Sequence, residues 1–278
     1  MLEDEFGDVV GKARRGLGLT VEELAVRTNV PARSIAEFEA YKARPTPEEV
    51  ARLAAALSLR EGPLGELARE AWEPRPITLA WERWEVCSMT LQDSTGFTSN
   101  THLLWRQPGG EAIIVDPGFE PGKIRRSVTD QGLAPRYVAV THGHHDHVGA
   151  ARQLAEHYGV PALIGEEDLE LVPRGDRARL HKVAEGERFA LGDAEFEALA
   201  APGHTAGGRC YRVPGACFVG DTLFAASIGR TFGGPPDYPG HLATIRAKIL
   251  AMAPDTRLFP GHGPGTTVAE EREHNPFA

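Results

Sequence analysis

The chain of 278 residues has only three cysteines, Cys87, Cys210 and Cys217, and no C-x-x-C pair among them. So sparse and odd a set fits a reducing cytosol rather than a disulfide framework. No apolar run approaches the roughly 18 residues of a membrane span. The opening MLEDEFGDVV is acidic and lacks an apolar signal core, so secretion is not expected and a cytoplasmic location is. An excess of positive charge is also missing: the formal net charge is −9, which argues against general nucleic-acid affinity. What is present is 41% hydrophobic and 25% charged residues, the balance of a well-packed globular protein. The length suits one large domain plus a small one.

Residues 1–70 contain no convincing alternating strand. Asp8–Gly16 is a short helical stretch. Thr20 with Glu23 three residues on forms a capping box for a second helix, with Leu24 and Ala25 on its buried side. Pro31 suits the first turn of a third helix, on which Ile35 and Phe38 fall three apart. After the break Pro45-Thr46-Pro47, Val50, Leu53, Ala54 and Leu57 form another apolar stripe at helical spacing. Trp72-Glu73-Pro74-Arg75-Pro76, with two prolines in three positions, reads as a stiff boundary. The expected division is a helical domain over 1–70, a linker over 71–76 and a larger domain over 77–278.

From residue 77 the rhythm becomes short apolar runs alternating with Gly/Pro turns, and several runs end at a metal-binding residue type. Glu111–Val115 ends at Asp116, Arg136–Val140 at Thr141-His142, Phe196–Ala201 at Pro202-Gly203-His204. Ala216–Val219 ends at Gly220-Asp221, and Arg257–Phe259 at Pro260-Gly261-His262. A rigid strand holds the position while the loop at its end aims a side chain. The densest stretch is VTHGHHDHVGA (140–150), with four of the chain's 11 histidines. Because side chains repeat every second residue in an extended segment, His142 and His144 point the same way and can grip one ion. Asp146 and His147 lie past the turn and address a neighbouring position. Imidazole with carboxylate suits Zn, Fe or Mn rather than Ca or Mg. His102, His157, His181, His241 and His274 stand alone and read as ordinary surface or core histidines.

Two resemblances follow from these residues. Leu19-Thr20, Glu23-Leu24-Ala25, Val30, Ile35, Glu39 and the Pro-x-x-x-x-Val start of the next helix resemble the Cro/repressor helix-turn-helix family over about 55 residues. That resemblance makes Pro31–Tyr41 the recognition helix and Arg33 its strongest candidate for DNA contact. Residues 1–70 hold ten Lys/Arg against thirteen Asp/Glu, so a dimerisation or docking role competes with DNA binding. The motifs THGHHDHVG (141–149), APGHTAGG (201–208), FVGDTLFAASIGRT (218–231) and FPGHGPGTTVAEEREHNPF (259–277) resemble the metallo-β-lactamase superfamily, in particular its glyoxalase II-like hydrolases.

The implied fold class is α+β: an αββα sandwich with a small all-α helix-turn-helix domain at the N-terminus. The implied ligands are His142, His144 and His204 for one metal, Asp146, His147 and His262 for a second, and Asp221 bridging both. Asp146 and Asp221 are then the catalytic carboxylates. Asp116 orients a ligand through a hydrogen bond, and His145, in the variable slot, is no ligand. The implied cofactor is two divalent ions, with zinc first and iron or manganese as alternatives. The implied chemistry is attack by a metal-bound hydroxide on an activated carbonyl, with a small-molecule thioester of acyl-glutathione or acyl-CoA type as substrate.

Two departures bear on glutathione specificity. The chain ends soon after His262, leaving no room for the C-terminal helical domain of glyoxalase II. The usual Gly-Arg-Thr-Asp-Phe continuation is altered to Gly229-Arg230-Thr231-Phe232-Gly233-Gly234-Pro235-Pro236, a segment expected to border the substrate. The competing readings are an iron-dependent persulfide dioxygenase using His142, His204 and Asp221, and a transcription regulator sensing a metabolite or metal. No membrane partner is expected, and a homodimer is.

Overall fold

The computed structural model describes residues 1–231 and 237–278. Five helices come first: α1 Phe6–Gly16, α2 Val21–Thr28, α3 Ala32–Glu39, α4 Pro47–Leu57 and α5 Glu61–Ala68. Thr20 and Thr46 cap α2 and α4, each accepting the backbone N–H three residues on while Glu23 and Glu49 reach back to the cap. Each such cap is worth about 1 kcal/mol. Leu24, Ile35, Phe38, Val50, Leu53, Ala54 and Leu57 are all buried, as the helical spacing requires. The third helix is shorter than its sequence suggests. Pro31 stands at its cap, and the helix ends at Glu39, with Tyr41 in the left-handed region at φ 58°.

Next come β1 Ala80–Trp81, β2 Trp84–Gln92, β3 Thr98–Arg106 and β4 Glu111–Val115, then α6 Pro121–Asp130, β5 Ala134–Ala139 and α7 His145–Val148. They are followed by α8 Ala151–Tyr158, β6 Ala162–Gly165 and β7 Leu180–Val183. A second set of strands is β8 Arg188–Leu191, β9 Ala194–Ala200, β10 Arg209–Val213 and β11 Ala216–Gly220. The chain closes with α9 Asp237–Thr244, β12 Arg257–Pro260, β13 Thr266–Thr267 and α10 Val268–His274. Strands β1 to β7 form one sheet in chain order, antiparallel through β4 and parallel from β4 to β7. The other sheet runs β13-β12-β11-β10-β9-β8, with only the β11–β12 pair parallel.

Period-two alternation builds the layers. On β4, Ile113 and Val115 face a core between the sheets, shared with Phe196, Tyr211, Phe218 and Phe259. Ala112 and Ile114 face the opposite way, where Ile124 and Val128 of α6 and Leu154 of α8 cover them. On β11, Ala216 and Phe218 point inward, while Cys217 and Val219 point to the outer face of the second sheet. The result is helix, sheet, sheet, helix, as the resemblance implies.

The N-terminal helices belong to that last layer. Phe6, Val9, Leu24, Leu53, Leu64 and Leu67 lie in one apolar cluster with Leu199, Val219, Tyr238, Ile249 and Phe277. Residues 71–76 have no regular structure, yet Trp72 stacks on His274 with ring centroids 4.7 Å apart. The Arg75 N–H donates to the Glu270 carboxylate at 3.0 Å. Arg60 donates to the carbonyl of Arg272, and its own N–H to that of Pro276. A shift in composition marks where the sequence pattern changes; it carries no information about whether contacts stop there.

Candidate metal centre

The ends of β5, β9, β11 and β12 meet at one edge of the sandwich. The strand-to-loop transitions at Thr141, Ala201, Gly220 and Pro260 therefore deliver His142, His204, Asp221 and His262 to one point. Three overlapping groups of donors result: His142 with His144 and His204, His142 with His147 and Asp221, and Asp146 with His147 and His262. His144 Nδ1 lies 2.9 Å from His142 Nε2 and 3.0 Å from His204 Nε2. His147 Nε2 lies 3.4 Å from His262 Nε2 and 3.3 Å from Asp146 Oδ2. Asp221 sits between the sets, 3.5 Å from His204 Nε2, 3.3 Å from His147 Nε2 and 3.7 Å from His262 Nε2. All seven donors named from the sequence thus converge, while Asp116 stands behind them.

These separations suit cations. Nitrogens bound at about 2.1 Å in a tetrahedral shell stand roughly 3.4 Å apart. Ring nitrogens facing each other at such range cannot all satisfy one another by hydrogen bonding. Asp221 Oδ1 is fully buried and makes no well-formed hydrogen bond among the described residues, with His147 Nε2 3.3 Å away; a buried carboxylate needs a cation or a protonated partner beside it. Gly261 makes the crowding feasible: a Cβ there would stand 2.4 Å from both Asp221 Oδ1 and the His147 ring.

The two halves differ electrostatically. Burial holds His142 and His144 below the usual histidine range and His204 at about 4, so these rings are neutral donors at pH 7. Around His147 burial opposes protonation, but the carboxylates of Asp221 and Asp116 overcome it and raise the pKa. For His262 burial is likewise outweighed, by Asp146 and Asp221. Against the effect of burial, His147 and His262 hold the Asp146 carboxylate well below its usual range, and His147, His204 and His142 do the same for Asp221. The second half therefore demands positive charge, and a divalent ion would displace protons from it.

Positioning groups surround the donors. Asp116, at a left-handed φ of 51°, accepts from Thr141 N–H and Oγ1, both at 2.7 Å, and lies 3.0 Å from His147 Nδ1. The His204 Nδ1 faces the Arg230 carbonyl at 2.7 Å, which fixes the tautomer whose Nε2 carries the lone pair toward the other donors. Asp168, missed in the sequence, is buried and accepts from Gly143 N–H, Gly207 N–H and Thr205 Oγ1 at 2.7–2.8 Å. It ties together the loops carrying His142, His144 and His204. Nothing in the pattern around Glu166-Glu167-Asp168 distinguishes it from a surface turn. Asn100, also missed, donates to the carbonyls of Pro260 and Gly263 on either side of His262.

His145 belongs to none of the donor groups; it is exposed, edge-on to Phe119. His102 is a core histidine held by Ser88 and the Pro260 carbonyl, and burial lowers its pKa to about 4. His157, His181, His241 and His274 also stay outside those groups. Arg33, on the outward face of α3, forms an ion pair with Glu37 at 2.8 Å. Of the segment expected to border the substrate, residues 232–236 lie outside the described residues. A cavity of about 540 Å³ opens over the donors, lined on the protein's own side by Phe97, Phe224 and Arg230.

A family model described as the metallo-beta-lactamase superfamily matches residues 94–262, and one described as helix-turn-helix matches residues 10–63. The chain is 36% identical over 200 residues to the hydroxyacylglutathione hydrolase GloC of Haemophilus influenzae, covering 66% of this chain and 94% of that one. Among solved structures, TTHA1623 in a di-iron-bound form is 32% identical, with a TM-score of 0.61, covering 69% of this chain and all of that one (100%). The B3 metallo-beta-lactamase BLEG-1 is 27% identical, also with a TM-score of 0.61, covering 69% and 98%.

Proposed function

The chain belongs to the metallo-beta-lactamase superfamily, and on that footing we propose that it is a two-metal hydrolase acting on a small-molecule thioester. The observation that carries this reading is the convergence of seven donors around the buried Asp221 carboxylate. His142, His144 and His204 would hold one ion, Asp146, His147 and His262 the other, and Asp221 both. When bound, such ions acidify water toward a pKa of ~7 and polarise a carbonyl.

The protein's own groups do the rest. Asp116 holds His147 by its Nδ1 and the Arg230 carbonyl holds His204 by its Nδ1, so the donor atoms face inward without reorganisation. Asp168 keeps the loops around His142 and His204 in one register. Phe97 and Phe224 give the cavity an apolar wall beside the donors. Among the described residues no serine or cysteine lines that cavity. A thioester is favoured over an amide because thiolate departs without a strong general acid. The likeness to GloC supports the same class.

The test is turnover of acyl-glutathione and acyl-CoA thioesters by the metal-loaded protein. Activity is expected to vanish on EDTA treatment and to fall at least about 10³-fold in Asp221→Ala; turnover that survives both would sink the reading.

A further inference from the structure

One wall of the cavity comes from the N-terminal segment and α1, which supply Glu3, Asp4 and Lys12 to a space also lined by His144, Asp146 and His262. The attachment is specific. Lys12 Nζ donates to Asp4 and, at 2.8 Å, to the Ile228 carbonyl, and lies 4.8 Å from the centroid of the Phe224 ring. That ring packs edge-on against His262 at 5.8 Å. On the other side, the backbone of Glu3 presses on the turn after His262. A Cβ at Gly263, whose φ is +69°, would come within 3.0 Å of the Glu3 N and Cβ atoms. The helical segment is thus clamped to both rims of the opening.

The charges in this wall are unequal. Lys12 is spent on Asp4, both largely buried. The Glu3 carboxylate makes no hydrogen bond or ion pair among the described residues. Partial desolvation raises its pKa, with His262 pulling the other way and Asp4 raising it further. Glu3 is exposed at the rim of the cavity, and an unpaired carboxylate there gains from a ligand that brings N–H donors or positive charge. It repels a ligand that brings more negative charge.

We propose that Glu3, supplied by the helical segment, is a specificity-determining residue of the hydrolytic site. It takes an ammonium or amide N–H on the thiol arm of the substrate and disfavours a polyanionic arm. This rests on the thioesterase reading above. The helical segment then acts as a recognition wall of the enzyme.

The test uses the zinc-loaded full chain and two non-hydrolysable thioethers of equal length, one ending in a primary ammonium and one in a carboxylate. Their dissociation constants are measured by calorimetry for the native protein, Glu3→Gln and Glu3→Lys, beside turnover of acyl-glutathione and acyl-CoA. The native protein is expected to prefer the ammonium ligand. Glu3→Gln should reduce that preference about tenfold, and Glu3→Lys should reverse it, with unchanged metal content in both. A preference that is the same in all three proteins, or no measurable binding of either ligand, overturns the proposal. A preference that follows residue 3 in a protein that hydrolyses neither thioester supports the role of Glu3 and removes the thioesterase reading instead.

Discussion

At the scale of single residues, the seven donors do different amounts of work, and the supporting carboxylates decide how well they do it. Asp116 bonds Thr141 twice and His147 once, so replacing it by asparagine keeps the shape but loses one charged acceptor. Asp116→Asn is expected to weaken metal affinity roughly 10–100-fold, measured by competition with a chromophoric chelator. His145→Ala, in the same assay, should bind metal like the native protein, because its ring faces Phe119 rather than the donors. Loss of metal in that variant would show the motif to be divided wrongly. The donors were legible in the sequence because His142, His204, Asp221 and His262 each follow an apolar run, and because four donor residues crowd into six positions, 142–147. Asp168 and Asn100 were not legible. Their role depends on a loop and a strand that approach the site only in three dimensions, and neither occupies a patterned position.

At the scale of elements, α10 braces the loop that follows Asp221. Ala226, at a left-handed φ of 58°, donates its N–H to Glu271 at 3.1 Å, and Glu271 also accepts from Thr266 and Asn275. Burial raises the Glu271 pKa to about 7. An acid whose folded pKa exceeds its unfolded value binds more protons in the folded state between the two. Stability therefore declines as pH rises from about 4.5 to 7 and stays reduced above that. The contribution is at most about 3 kcal/mol, at 1.36 kcal/mol per unit. Urea unfolding at pH 5 and pH 8 should show this decline in the native protein and a flatter profile in Glu271→Gln. Equal declines would remove Glu271 as the cause. Five strands were readable as short apolar runs between Gly/Pro turns, and the expected ends of β4, β5, β9, β11 and β12 lie within two residues of the observed ones. Glu271 was not readable, since Glu270-Glu271-Arg272-Glu273 looks like a solvated helix until Thr266 and Ala226 are seen beneath it.

At the scale of the whole molecule, one apolar cluster joins the N-terminal helices to the outer face of the second sheet. A chain of two independently folding parts would show two transitions; this packing implies one. Leu64, fully buried at the shared layer, is the residue to test. Leu64→Ala should cost about 2–5 kcal/mol and lower the thermal transition seen by helix signal and by metal release together. A shift confined to one probe would separate the parts. No helix among the described residues is long and apolar enough to cross a membrane. The outward face of α3 carries Arg33 already paired with Glu37, on a chain of net charge −9, which favours the recognition-wall role of these helices over DNA binding. The helical fold of residues 1–70 was legible from caps and spacing. Its attachment was not, because Glu3, Lys12 and Leu64 look like any surface and core residues until the sheet they pack against is in view.

The most direct test of the two-metal site is elemental quantification on native protein purified without chelator, beside Asp221→Ala and with oxygen uptake followed in parallel. The expected result is two divalent ions per native chain, fewer than one in the variant, and no oxygen consumption during turnover. A single iron per native chain with oxygen uptake, or an unchanged metal count in Asp221→Ala, would contradict it.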